Sequence, residues 1–147
     1  MSEPRPILIA EDNARDAELT LEAFAAHGFA RRVTVVPDGA EALDYLRRSG
    51  KYASRPAAAP CVVLLDVKMP RGSGLEILQA IKSDRRLHTI PVVMLSSSRE
   101  EADLRLSYEL GANGYIVKPV DFPAFSQAIC NVGTFWGLIN EPPAPPH

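Results

Sequence analysis

Five short apolar runs punctuate the chain, at residues 6–10, 33–36, 61–65, 92–95 and 115–117. They are rich in Val, Ile and Leu, and none of them alternates apolar with polar positions. A strand with one wet face alternates. A run without alternation predicts a strand covered on both faces, as in a parallel sheet between two helix layers. Between the runs the period lengthens to that of a helix. Ala17, Leu21 and Phe24 repeat behind Asn13, a good N-cap, and Gly28 stops the pattern. Asp38, with Glu41 three residues on, predicts a second helix that turns Ala42, Leu43 and Leu46 inward. A third helix begins near Gly74 and buries Leu75, Leu78 and Ile81. Ser98 with Glu101 forms another capping box; the helix behind it turns Ala102, Leu106 and Leu110 inward and ends at Gly111. The last helix starts after Asp121 and buries Phe125, Ile129, Val132 and one of the adjacent Phe135 and Trp136.

The order is strand then helix, five times over. Such alternation predicts an α/β domain: an open, doubly wound parallel sheet with right-handed crossovers and helices on both faces. Two segments fall outside the repeat. Residues 48–60 make a long connection containing Ala and Pro, and residues 141–147 (EPPAPPH) read as an extended, proline-rich tail. The expected organisation is one domain over residues 1–140 followed by that tail.

At 147 residues the chain suits one domain, and 46% hydrophobic residues is enough for a real core. A formal net charge of −2 argues against a nucleic-acid partner, since gripping phosphates takes a positive excess. No run approaches the roughly 18 apolar residues of a membrane helix, and the N-terminus lacks the apolar stretch of a secretory signal, so the expected location is the cytoplasm, away from membranes. Cys61 and Cys130 lack metal-ligand spacing and read as small buried hydrophobes; His27, His88 and His147 are scattered.

In open parallel sheets, sites form beyond the carboxyl ends of the strands. Glu11 and Asp12 follow the first strand, Asp66 and Lys68 the third, Ser96 the fourth and Lys118 the fifth. Three carboxylates gathered there repel one another unless a cation intervenes, and Mg²⁺ takes oxygen ligands of this kind. A carboxylate beside a metal and a lysine can attack phosphorus and become an aspartyl phosphate. The Ser96 hydroxyl would then donate a hydrogen bond to a phosphoryl oxygen.

The set Glu11-Asp12, Asp66, Ser96 and Lys118-Pro119, with Met69-Pro70-x-x-x-Gly74 behind the third strand, resembles the receiver domain of two-component response regulators, over about residues 6–138. The resemblance implies a flavodoxin-like (CheY-like) five-stranded sheet in the order 2-1-3-4-5. It implies that Asp66 accepts a phosphoryl group from a phosphohistidine on a sensor histidine kinase. Asp12 and Asp66 ligate Mg²⁺, Glu11 supports it, often through water, and the backbone carbonyl of Lys68 is a further ligand. Ser96 and Lys118 contact the phosphoryl group. Tyr115 holds the place of an aromatic that changes rotamer with Ser96, though it reads equally well as a core or interface aromatic. The Lys118–Pro119 bond matches a cis peptide of the family. Such a protein is a phosphoacceptor regulator, assisting its own phosphotransfer and dephosphorylation without being an enzyme in the ordinary sense.

Several features depart from the minimal pattern. Lys68 sets a cation two residues after the acceptor, where its side chain could lie over the site. The long connection and the Phe135-Trp136-Gly137-Leu138 ending are similar to stand-alone regulators paired with phytochrome-like sensor kinases. The expected output is protein contact: a target, a histidine phosphotransfer protein in a phosphorelay, or a homodimer through the C-terminal helix region. Three other readings compete. An aspartyl-phosphate phosphatase usually carries an acid where Lys68 stands. A flavin binder needs a phosphate-cradling loop where Glu11 and Asp12 stand. A receiver-like interaction module would work without phosphorylation.

Overall fold

The computed structural model describes residues 5–56, 58–69, 73–97, 101–118 and 121–143. Strands β1 (Ile7–Ala10), β2 (Val33–Val36), β3 (Val62–Asp66), β4 (Val92–Ser96) and β5 (Gly114–Val117) form one sheet in the order β2-β1-β3-β4-β5. Every neighbouring pair is parallel. Helices α1 (Ala14–Ala26), α2 (Gly39–Arg47), α3 (Gly74–Ser83), α4 (Glu101–Glu109) and α5 (Phe122–Thr134) alternate with the strands.

Side chains of a strand alternate between faces, so each apolar run supplies two cores. Leu8, Val63, Leu65, Val92 and Met94 meet Leu46 of α2 and Leu78 and Ile81 of α3 on one face. Ile7, Ile9, Val62, Leu64, Val93 and Leu95 meet Phe24 of α1 and Ile129 of α5 on the other. The predicted caps form where they are described. Asn13 accepts from the Asp16 amide at 2.9 Å, Asp38 from that of Glu41 at 2.8 Å, and Asp121 from that of Ala124 at 2.9 Å. The expected Ser98 cap lies outside the described residues.

Two helices bury a different stripe from the one hydropathy suggests. On α1, Thr20, Ala23 and Phe24 are buried while Leu21 is exposed. On α4, Ser107 is fully buried, whereas Ala102 and Leu106 face solvent. Both inward positions are polar residues that satisfy themselves: Thr20 Oγ1 donates to the Asp16 carbonyl at 2.8 Å, and Ser107 Oγ to that of Asp103 at 2.7 Å. At the C-terminus the chain continues from α5 into a π-helical turn, Phe135–Ile139. There Trp136 packs on the core shared by α1 and α5, and Phe135 is exposed.

Arg55 ties the connection over residues 48–60 to α2. Arg55 donates to the carbonyls of Tyr45, Pro56 and Ala58 and stacks 4.3 Å from the Tyr45 ring centroid. Gly50–Tyr52 forms a 3₁₀ turn within it.

Candidate phosphoacceptor and metal site

The sheet ladder itself delivers the site residues. The Glu11 amide donates to the Val36 carbonyl at 3.0 Å, extending β1 by one residue and placing its side chain against the sheet edge. The Val67 amide donates to the Leu95 carbonyl at 3.1 Å and that of Lys118 to the Ser96 carbonyl at 2.7 Å. These bonds set the ends of β1, β3, β4 and β5 side by side, with Glu11, Asp66, Ser96 and Lys118 on the same edge of the sheet. The start of α3 closes in from behind. A Cβ on Gly74 would sit 2.1 Å from the Asp66 carbonyl oxygen. Only glycine permits that approach, which explains the glycine after the Met69-Pro70 pair.

The carboxylates of Glu11, Asp12 and Asp66 each place an oxygen within 4.8 Å of the others. Glu11 is buried, Asp66 half-buried and Asp12 exposed, so the cluster opens to solvent on the Asp12 side. The Lys118 ammonium donates to Glu11 Oε1 at 2.7 Å, Asp66 Oδ2 at 3.0 Å and Asp16 Oδ2 at 3.0 Å. An ammonium has three protons, and all three are taken by carboxylates. The other Asp66 oxygen, Oδ1, accepts from the Lys68 amide at 3.0 Å.

Burial pushes the Glu11 carboxyl up to about 7, as does its contact with Asp66, against the pull of Lys118. Burial acts to lower the Lys118 pKa, but hydrogen bonds to Glu11, Asp16 and Asp66 outweigh it and hold the ammonium charged. Glu11, Asp12, Asp16 and Asp66 gather around the single ammonium of Lys118, which leaves the acids in excess. An all-oxygen donor set in that state fits a hard divalent cation.

Ser96 is buried at the end of β4. Tyr115 is half-buried, pairs with Met94 in the sheet register and packs on the core of the α2–α3 face. Lys68 is exposed; with Asp12, Met69, Ser73, Leu75 and Asp103 it lines a groove of about 460 Å³ beside the acids. In that groove Asp103 Oδ2 is buried and has no hydrogen-bond partner among the described residues. Pro70 and Pro119, and with the latter the expected cis bond, lie outside the described residues. Asp16 was not among the residues singled out from the sequence. Its signal was there: it lies four residues before Thr20 and seven before Ala23, on the stripe that α1 buries, where an unpaired acid would be out of place.

The model of the response regulator receiver domain family matches residues 7–130. Response regulator Rcp1 of Synechocystis is 32% identical over 133 residues, covering 90% of this chain and 89% of Rcp1. Its Mn²⁺-bound crystal structure superposes with a TM-score of 0.85 over 96% of this chain and all of that one (100%). The phosphorylated cyanobacterial phytochrome response regulator RcpA gives a TM-score of 0.87 at 39% identity, over 96% of this chain and 99% of its own. The bacteriophytochrome response regulator AtBRR is 56% identical, with a TM-score of 0.76, over 95% of this chain and 100% of its own. With the sheet order, the acid cluster and its lysine in place and these likenesses spanning nearly all of its length, the chain belongs to the response-regulator receiver family.

Proposed function

We propose that this protein is a phosphorylation-controlled switch in which Asp66 takes a phosphoryl group from the phosphohistidine of a sensor histidine kinase. The observation that carries the reading is the meeting of Glu11, Asp12 and Asp66 within 4.8 Å, with the Lys118 ammonium bonded to two of them. A carboxylate oxygen of Asp66 forms the new P–O bond while the P–N bond to the imidazole breaks, its electron pair leaving on nitrogen. Glu11, Asp12, Asp66 and the Lys68 carbonyl would hold Mg²⁺. Bound there, Mg²⁺ would neutralise the acids and the charge on the transferring phosphoryl oxygens. Lys118 lies against Asp66 and stabilises the same charge from the protein side. Ser96, at the end of the strand beside Asp66, donates to a phosphoryl oxygen, and Tyr115 reports the change from β5. The same geometry lets water hydrolyse the aspartyl phosphate and reset the switch.

The names of RcpA and AtBRR support a kinase of the phytochrome class as the phosphoryl donor. Residues 1–140 act as one domain with residues 141–147 as a tail. The protein works in the cytoplasm, where the kinase phosphohistidine is formed; among the described residues no helix is long and apolar enough to cross a membrane. Output passes through protein contact, either to a phosphorelay partner or through a homodimer built on the C-terminal region, where Phe135, Leu138 and Ile139 are exposed.

Acetyl phosphate with Mg²⁺ should label the parent at Asp66, with labelling abolished by chelator and by Asp66→Asn. Equal labelling of parent and Asp66→Asn would overturn the assignment.

A further inference from the structure

The opposite edge of the sheet holds a second feature, which phosphotransfer does not use. A cavity of about 890 Å³ opens beside Cys61, Ile90 and Pro91, at the amino ends of β3 and β4. It lies a strand length, roughly 15 Å, from the acid cluster. Its size is that of a pocket for a small organic ligand.

Its charge is the reverse of the acid site. Arg5, Arg47, Arg48, Arg55 and Arg86 line it, and Asp84 is the one acid in the lining among the described residues, in a chain of formal net charge −2; Glu141, next to the lining Pro142, lies 4.0 Å from Arg5. Asp84 does not cancel this excess. Its Oδ1 accepts the Arg86 amide at 2.8 Å and its Oδ2 lies 3.7 Å from Arg47 Nε. Among the described residues, the Arg48 side chain commits only Nε, to the Arg55 carbonyl at 2.9 Å. The Arg86 side chain makes no hydrogen bond or ion pair among the described residues. Arg55 is spent on the Tyr45, Pro56 and Ala58 carbonyls, and Arg5 on the Asn140 carbonyl and the Glu141 carboxylate, so among the described residues the donors left over in the lining are mainly those of Arg47, Arg48 and Arg86. Leu46, Leu87 and Ile90 supply an apolar wall behind them. Planar guanidinium groups suit phosphate oxygens, and an apolar wall suits an organic body such as a nucleobase.

We propose that this cavity binds an organic phosphate of nucleotide size. The chain's own C-terminal segment borders it through Pro142 and Pro143, and Arg5 holds that segment by donating to the Asn140 carbonyl. An occupant would therefore meet the tail as well as the domain. This inference is independent of Asp66 phosphorylation.

The test uses the full chain in magnesium-free buffer with chelator, so that the acid site cannot bind phosphates through a metal. ATP, pyrophosphate and adenosine are titrated separately, followed by calorimetry and backbone amide NMR. The expected result is saturable ATP binding, tighter than that of pyrophosphate or adenosine, with amide shifts in residues 47–60 and 84–91 and none at Glu11 or Asp66. The double variant Arg47→Gln/Arg86→Gln should weaken ATP binding by about tenfold or more through lost charge-assisted hydrogen bonds. Both side chains are exposed, and unchanged acetyl phosphate labelling of Asp66 would show that the variant is folded. Absence of saturation, shifts centred on the acid site, pyrophosphate binding as tight as ATP, or full affinity in the double variant would each overturn the proposal.

Discussion

Lys118 shows how much one side chain carries here. Its three partners come from the end of β1, the first turn of α1 and the end of β3. Asp16 is the most solvated of them, with 38% of its side chain exposed, so its ion pair is screened and is worth only about 1 kcal/mol. In the proposed reaction it would act as a positioning residue, steadying the ammonium. Asp16→Asn should slow acetyl phosphate labelling about fivefold while leaving the Mg²⁺ requirement intact, whereas Lys118→Met should nearly abolish labelling. Single-turnover rates at several Mg²⁺ concentrations would distinguish the two.

Glu11 adds a pH signature in metal-free protein. Its ordinary pKa of 4.5 rises to about 7 on folding, chiefly through burial. Between those values the folded chain keeps a proton that the unfolded chain has lost. Stability therefore falls as pH rises through this window, by up to about 3 kcal/mol at pH 8. Glu11→Gln should remove most of that slope, as read by urea unfolding at pH 5 and pH 8 in chelator. A parent and variant that lose the same stability between the two would contradict the burial argument.

Among the elements, the start of α3 is the most constrained. With 2.1 Å between a Cβ at position 74 and the Asp66 carbonyl oxygen, neither backbone can yield without moving the acceptor. Gly74→Ala should cost about 3 kcal/mol or more and depress labelling beyond what lost stability explains. Thermal unfolding alongside labelling kinetics would show both effects. The faces of α1 and α4 carry a different lesson. In each, a hydroxyl bonded to the preceding turn is buried and a leucine is left outside. Hydropathy set the phase of α4 by Ala102 and Leu106, a rotation of one residue from the Ser107 stripe. A self-satisfied serine is as small and as dry as alanine, so an apolar count misreads it.

At the scale of the whole molecule, the segment entering β1 meets the turn that follows α5. The Arg5 amide donates to the Gly137 carbonyl at 3.3 Å, so the lead-in to β1 and the turn after α5 support each other. Beyond that turn, Phe135, Leu138 and Ile139 are 45%, 47% and 65% exposed, more apolar surface than a helix end needs to leave in water. Light scattering should find a homodimer, and replacing all three by Ser should give a folded monomer. Removing residues 141–147 should change unfolding free energy by less than about 0.5 kcal/mol, because Glu141 and Pro143 are exposed and Pro142 only half-buried.

What the sequence determined by itself follows from local rules. Unbroken apolar runs marked strands covered on both faces, and Asn13, Asp38 and Asp121 marked helix starts, because caps and periodicity act between near neighbours. The acids and the lysine were legible because a parallel sheet sends every strand's last residue to one edge. Tertiary structure alone decided the rest. It placed Asp16 on Lys118, set Trp136 rather than Phe135 against the core, and chose the inward faces of α1 and α4. It also gathered arginines from distant segments around one cavity. Each of these depends on which surfaces meet in space, and residues far apart in sequence carry no local record of that meeting.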